Sequence, residues 1–272
     1  GDMLPYPNEV PVPFDVPENA IKIVGEEDGV FDNSDYILFY AKGPKGFQEE
    51  SNTNINCYTD KTYYYINVNG GLGKRIIPFN QPIGAVDMQI STYQDYKFHE
   101  VDKENIAFLG RRWFGERFDI ENERTFNFDF PGLVASEPVN LKVQVAGVSS
   151  SSTSMQLSVN GSSVSTLTLS AAVEPNYATG ATFNGNVNVG TPKIAVGLNY
   201  NNNGNPSAVA YLDYISIEAT RTLNFSGKQF LFKNNAVASA SGIGQYTITN
   251  AAQINEIWDV TDLYNVSNYI NA

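Results

Sequence analysis

The side chains with the most chemistry fall into a few small groups. Glu26, Glu27, Asp28 and Gly29, followed by Asp32 and Asp35, place carboxylates in a turning stretch, the oxygen set that a hard cation such as Ca²⁺ accepts. The spacing is not that of an EF-hand loop, so Asp28, Asp32 and Asp35 meet on one calcium only if the loop curls. Otherwise they form a solvated turn. Cys57 and His99, the sole cysteine and the sole histidine, are formally a thiol and its base, but each sits in a strand-like string and reads as structural. Residues 70–75, GGLGKR, resemble a phosphate loop only superficially, because Arg75 stands where a Ser or Thr would hold Mg²⁺; a hairpin turn is the simpler reading. Asp95, Glu100, Asp102, Glu104, Glu116 and Asp119 offer carboxylates for glycoside hydrolysis, yet nothing singles out two at the required separation. In the string GRRWFGE at 110–116, Trp113 after Arg111 and Arg112 is a cation–π or sugar-stacking platform, or a structural anchor at the domain junction in which an Arg such as Arg111 pairs with Glu116. Trp258 is a second candidate anchor or docking residue.

Counting removes whole classes of function. One cysteine forbids an internal disulfide and any CxxC site, and one histidine excludes Cys₂His₂, His₃ and HExxH zinc centres. No cofactor is expected beyond calcium in the acidic loop. With 17 basic against 29 acidic residues the net charge is −12, and such a chain repels nucleic acid. The basic pairs Lys74-Arg75 and Arg111-Arg112 are too small to offset that. No stretch approaches the roughly 18 apolar residues of a membrane span. Hydrophobic residues at 42%, with 16 Phe and 16 Tyr, argue for a packed chain rather than a disordered one.

The elements that must position these groups read as strands. Amphipathic helix periodicity is nearly absent, whereas alternating or aromatic runs recur between Asn, Gly, Ser and Pro. Strands are expected at 20–24, 36–41, 61–68, 75–79 and 98–101, with Asn69-Gly70 as a tight turn. A second series follows at 140–146, 154–159, 163–169, 193–198 and 209–219, a spacing that suits a β-sandwich. In the run 211–219, Tyr211, Asp213, Ile215, Ile217 and Ala219 share the expected core face. The fold class is therefore all-β: a Pro-rich extended segment at 1–17, a smaller β domain at 18–110, and a jelly-roll-like sandwich at 111–272. Strands at 229–233, 245–249 and 257–260 either close that sandwich or pair back onto the first domain.

Several strings together carry a resemblance. Residues 28–44, DGVFDNSDYILFYAKGP, resemble a stretch upstream of the catalytic domain in the type IX secretion system sortases of Bacteroidetes, a gingipain-like C25 cysteine peptidase family. Further strings agree in the same order: YYYI at 63–66, GKRI at 73–76, GRRWFGE at 110–116, YLDYI at 211–215 and IWDVTD at 257–262. The last also resembles a β-propeller repeat, but it occurs once, and a propeller needs several copies. The family resemblance implies an exported parent, associated with the outer membrane at the cell surface, that removes C-terminal sorting signals from secreted cargo. It implies no catalytic residue here. The family's catalytic Cys and His lie in a following α/β domain, and Cys57 and His99 fall outside that motif. Gly1 reads as a scar of tag removal and the chain as an excised middle piece. The implied partners are the downstream peptidase domain of the same polypeptide and the secretion machinery or cargo, with a glycan-binding or adhesive surface module as the alternative.

Overall fold

The computed structural model describes residues 16–47, 52–56, 58–68, 71–108, 110 and 112–270. Along the chain, β1 (Ile21–Val24), β2 (Tyr36–Phe39) and β3 (Ile77–Pro78) precede β4 (Met88–Ile90) and β5 (Thr92–Glu100). Next come β6 (Arg117–Phe118), β7 (Glu123–Asp129), β8 (Val139–Val148), β9 (Thr153–Val159) and β10 (Ser162–Leu169). Then follow β11 (Thr179–Val187), β12 (Lys193–Asn201), β13 (Val209–Thr222) and the short helix α1 (Asn235–Ser239). The last strands are β14 (Gly244–Tyr246), β15 (Glu256–Asp259) and β16 (Ser267–Ile270). The chain is all-β, as its alternating patterns predict. Among the described residues no helix is long and apolar enough to cross a membrane.

These elements form two compact units: Ala85–Asn250 is one, and residues up to Gly84 with those from Ala251 onward make the other. The boundary expected at 110/111 falls inside the first of these, because β5 pairs with β13 along its whole length, from Thr92↔Thr222 to Glu100↔Tyr214. The expected closing strands divide. Gly244–Tyr246 pairs with β4, while Glu256–Asp259 belongs with the N-terminal residues through β16 and β3.

The Ala85–Asn250 unit is a sandwich of two sheets, ordered β11-β8-β13-β5 and β10-β9-β12-β7, with antiparallel ladders. Leaving aside β6 and the β9–β10 hairpin, successive strands switch sheets, which is the winding of a jelly roll. The hairpin turns on Asn160 and Gly161, at φ 49° and 79°, the positive pair that a two-residue turn requires. Between the sheets Leu141, Val143 and Val145 meet Met155, Leu157, Ile194, Val196 and Leu198, all fully buried. Each such side chain contributes roughly 1.5–3 kcal/mol by leaving water. The strands β7 and β11 were not anticipated by the alternation pattern.

One register detail re-aims a side chain. Along β13 the core residues are Ala210 and Leu212, then Ile215, Ile217 and Ala219. The phase changes because the ladder to β8 shifts between Leu212 and Tyr214, leaving Asp213 as an extra, bulged residue. The expected core face is thus corrected: Tyr211 and Asp213 are not on the face of Ile215. A bulge adds one residue to one strand and flips everything beyond it.

The other unit is thinner. β1 and β2 form a two-stranded sheet, and β15-β16-β3 a three-stranded one. Ile21 N–H donates to Lys74 O (2.9 Å) and Ile76 N–H to Ile21 O (2.8 Å), so residues 74–76 occupy the far side of β1. Ala20 and Val266 are its buried apolar residues among those described. The strand expected at 61–68 is absent: Tyr63, Tyr65, Ile66 and Val68 are exposed, and the run finds no ladder partner among the described residues. The strand expected at 229–233 is likewise irregular chain. The Asn69-Gly70 turn and residues 1–15 of the Pro-rich segment lie outside the described residues.

Candidate functional site

The polar cluster of the jelly roll forms where β13 changes partner. On one edge β13 pairs with β6 at Ala210 and Tyr211, and with β5 from Tyr214 onward. The chain between β5 and β6 loops out and returns at that gap. Its return is fixed by main-chain bonds: Phe114 N–H to Glu104 O (2.8 Å), Gly115 N–H to Leu212 O (2.7 Å), and Leu212 N–H to Glu116 O (2.9 Å). Phe114 buries its ring against Tyr211, centroids 6.3 Å apart. A Cβ on Gly115 would lie 2.7 Å from Val101 O, so only glycine allows this approach.

Asp213 sits in the gap with its side chain 7% exposed, and Arg112 Nη2 donates to its Oδ2 at 2.8 Å. Burial pushes the Asp213 carboxyl up to about 6; Arg112 opposes this, and Glu100 and Asp102 add to it. Asp102 is also pushed up to about 6, by burial and then by Glu100. Among the described residues Arg112 meets Asp213, with Glu100 and Asp102 as neighbouring carboxylates, and burial with that negative charge favours proton uptake. Beside it His99 Nε2 lies 2.9 Å from Glu116 Oε1. Burial acts to raise Glu116, but the hydrogen bond from His99 and the charges of His99 and Lys103 outweigh it, so the carboxyl is held below its ordinary range.

Whether Arg111 pairs with Glu116, as expected, lies outside the described residues. Glu116 belongs to His99, and Arg112 belongs to Asp213, because the bulge turns Asp213 toward the returning chain. Arg111 and Cys57 lie outside the described residues. Trp113 is 39% exposed beside Arg112, whose guanidinium stacks on Phe114 at 5.5 Å. Asp213 is the residue that strand alternation missed, because the bulge that aims it leaves no local mark.

The open side of the sandwich, between edge strands β5 and β7, holds a cleft of about 680 Å³ lined by Tyr96, Phe98, His99, Phe126 and Asp129. His99 packs on Phe126 with ring centroids 4.7 Å apart, and Lys97 donates to Asp129 O across the gap. Inward-pointing charges of this kind blunt exposed edges.

In the other unit the acidic loop spends its carboxylates on its own backbone. Asp28 Oδ1 accepts from Val30 N–H (2.9 Å), Asp32 Oδ1 from Ser34 N–H (2.8 Å), and Asp35 Oδ2 from Asp32 N–H (3.0 Å). The Ser34 bonds hold the Asp32 carboxyl below its ordinary range. Among the described residues no three His, Cys, Asp or Glu side chains gather as a metal-binding group. Trp258 Nε1 donates to Glu256 Oε2 at 2.8 Å, Asn268 donates to the same oxygen at 3.2 Å, and Lys22 pairs with Oε1.

No family model and no curated protein matches the chain in sequence. Among solved structures, dimeric latent PorU from Porphyromonas gingivalis matches at TM-score 0.68 and 15% identity, over 93% of this chain and 24% of that one. A family 36 carbohydrate-binding module in complex with calcium and xylotriose matches 47% of this chain at TM-score 0.30 and 15% identity, covering 99% of that module. A family 35 module from Clostridium thermocellum matches 46% at TM-score 0.30 and 15% identity, covering 95% of that module. The chain spans about a quarter of PorU's length, and across nearly all of its own length it shares the fold of that part of PorU.

Proposed function

We propose that this chain is a non-catalytic β region of a larger exported peptidase of the type IX secretion sortase kind, acting as scaffold and docking surface at the outer-membrane-associated cell surface. The single observation that carries the docking role is the distribution of apolar residues in the smaller unit. Tyr36, Phe31, Tyr63, Tyr65, Ile66 and Leu72 are exposed there, while Ala20 and Val266 are its buried apolar residues among those described. Exposed apolar surface on that scale marks an interface, and a unit so poor in core needs a constant cover. The parentage is supported by the fold shared with PorU over 93% of the chain and by the ordered strings from DGVFDNSDYILFYAKGP to IWDVTD. The cover is the peptidase domain of the same polypeptide, with cargo or secretion machinery engaging the assembled surface.

The test is to add the separately expressed peptidase domain and measure association by calorimetry together with binding of an apolar dye. Association with loss of dye signal is expected. No association, with dye binding unchanged, defeats the scaffold reading. A second reading, glycan binding by an adhesive surface module, is favoured by the exposure of Trp113 beside Arg112. A glycan-array signal abolished by Trp113→Ala would support it, and the absence of any signal would remove it.

A further inference from the structure

The open side of the jelly roll carries an unbalanced charge. On β5, Asp95, Lys97 and His99 stand opposite Ala219, Ile217 and Ile215 of β13, which are core residues, and residues directly opposite in a ladder share one face. These polar side chains therefore point between the sheets, toward the gap that Phe126 and Phe128 of β7 line from the other side. Asp95 and His99 have their counter-charges: Arg221 Nη1 lies 2.7 Å from Asp95 Oδ2, and Glu116 Oε1 lies 2.9 Å from His99 Nε2. Lys97 is half-buried and forms no ion pair among the described residues. Its ammonium donates to Asp129 O and lies 5.0 Å from the centroid of the Phe130 ring. A carbonyl dipole and a ring face leave a whole positive charge unmatched where water is partly excluded. Only one of the N–H donors of the ammonium is spent on Asp129 O.

The cleft around Lys97 restricts what can supply the missing anion. Its volume of about 680 Å³ falls within the roughly 300–1,000 Å³ of small-molecule sites. Beyond Lys97 the gap is closed by Arg221, whose Nε donates to Pro131 O at 2.6 Å, and at the other end His99 packs on Phe126. The bond from Lys97 to Asp129 O spans the two strand edges, so an added β-strand cannot run between them. The occupant is therefore compact. Phe98 and Phe126 give the cleft apolar walls, which suit a flat or branched hydrocarbon body, and Lys97 suits an acid group at its end. The net charge of −12 repels anions from the chain as a whole, so a preference for an anion here is a local property of Lys97.

We infer that the cleft between β5 and β7 is a binding site for a small amphipathic carboxylate, whose acid group pairs with Lys97 and whose apolar body lies against Phe126. The cleft uses neither the exposed apolar residues of the smaller unit nor Trp113, so this site stands or falls independently of the docking and glycan readings.

Phenylacetate, benzyl alcohol and benzylamine share a phenyl body and differ in charge. Because His99 is the sole histidine, its imidazole gives a single nuclear magnetic resonance signal with which to follow the titration of the whole chain by each probe. Phenylacetate is expected to shift that signal saturably and to bind about tenfold or more tightly than benzyl alcohol, with benzylamine no better than the alcohol. Lys97→Gln keeps a hydrogen-bond donor and removes the charge, and is expected to abolish the preference for phenylacetate; Lys97→Arg keeps the charge and should retain it. Circular dichroism checks that each variant keeps its strands. Where a variant fails to fold, the ranking of the probes on the unaltered chain decides the matter. No shift of the His99 signal with phenylacetate overturns the inference, as does equal binding of the probes or a preference that survives Lys97→Gln.

Discussion

Replacing Asp213 by Asn is expected to stabilise the jelly roll at neutral pH and to flatten its pH dependence. In the folded chain the Asp213 carboxyl is pushed from 3.8 up to about 6, by burial and by Glu100 and Asp102, against the opposing pull of Arg112. Its raised folded pKa means that the native state keeps a proton which the unfolded chain has already released between about pH 4 and 6. Stability is therefore full below that window and falls as pH rises through it. A rise of about two units corresponds to roughly 3 kcal/mol, and because the Asp213 side chain is only 7% exposed, solvent screening removes little of it. A neutral amide at this position mimics the protonated group, so Asp213→Asn gains up to about 3 kcal/mol at pH 7.5 and under about 1 kcal/mol at pH 4.5. The assay is urea unfolding followed by tryptophan fluorescence in a Trp258→Phe background, so that Trp113 reports on the jelly roll alone. The separate probe matters because the two units need not unfold together. Parallel pH profiles for the Asp213→Asn variant and its parent would refute the reasoning, since the carboxyl would then not be the group that titrates.

Other substitutions test other parts of the structure. Leu212→Ala removes a fully buried side chain from between the sheets and is expected to cost about 2–5 kcal/mol in the same urea assay. Gly115→Ala drives a methyl against Val101 O, and a loss of roughly 1–3 kcal/mol is expected; an unchanged midpoint would show that the returning chain is looser than described. Glu116→Gln removes a carboxylate held below its ordinary value. The stability that Glu116 contributes above its unfolded value of 4.5 is lost in the parent as pH falls through the lowered folded value, and that acid-side loss should vanish in the variant. Because Asp28, Asp32 and Asp35 are spent on backbone amides, millimolar Ca²⁺ should leave the melting temperature unmoved, and a clear upward shift would restore the calcium reading.

Much of the jelly roll was legible because its strands alternate cleanly: in 154–159 and 193–198 every second residue is apolar and faces the other sheet. β11 was hidden by composition, since Gly180, Asn184, Gly185 and Asn186 have the look of a loop until β8 supplies a partner. The run at 61–68 misled in the opposite direction: aromatic alternation is a local property, while a strand also needs a neighbour. Of the candidate site, Trp113 and Glu116 were visible as unusual residues in one string. Their neighbours were not, because the Asp213 bulge is set by pairing across three strands and YLDYI reads the same with or without it. Arg112 meets Asp213, and no spacing rule over about a hundred positions of separation foretells that.

The order of the units along the chain has a consequence for how the molecule is made. The smaller unit draws β1, β2 and β3 from before the jelly roll and β15 and β16 from after it, so the sandwich is an insertion within it. β5 and β13, the first and last main strands of the sandwich, lie antiparallel side by side, which returns the chain to the end where it entered. During synthesis or export from the N-terminus, β3 waits for its partner β16 until the whole jelly roll has emerged. Once folded, the sandwich holds the two separated pieces at short range, sparing them the loop-closure entropy of a long disordered connection. The smaller unit is thus the first to be made and the last to be completed, and the jelly roll serves as its covalent clamp.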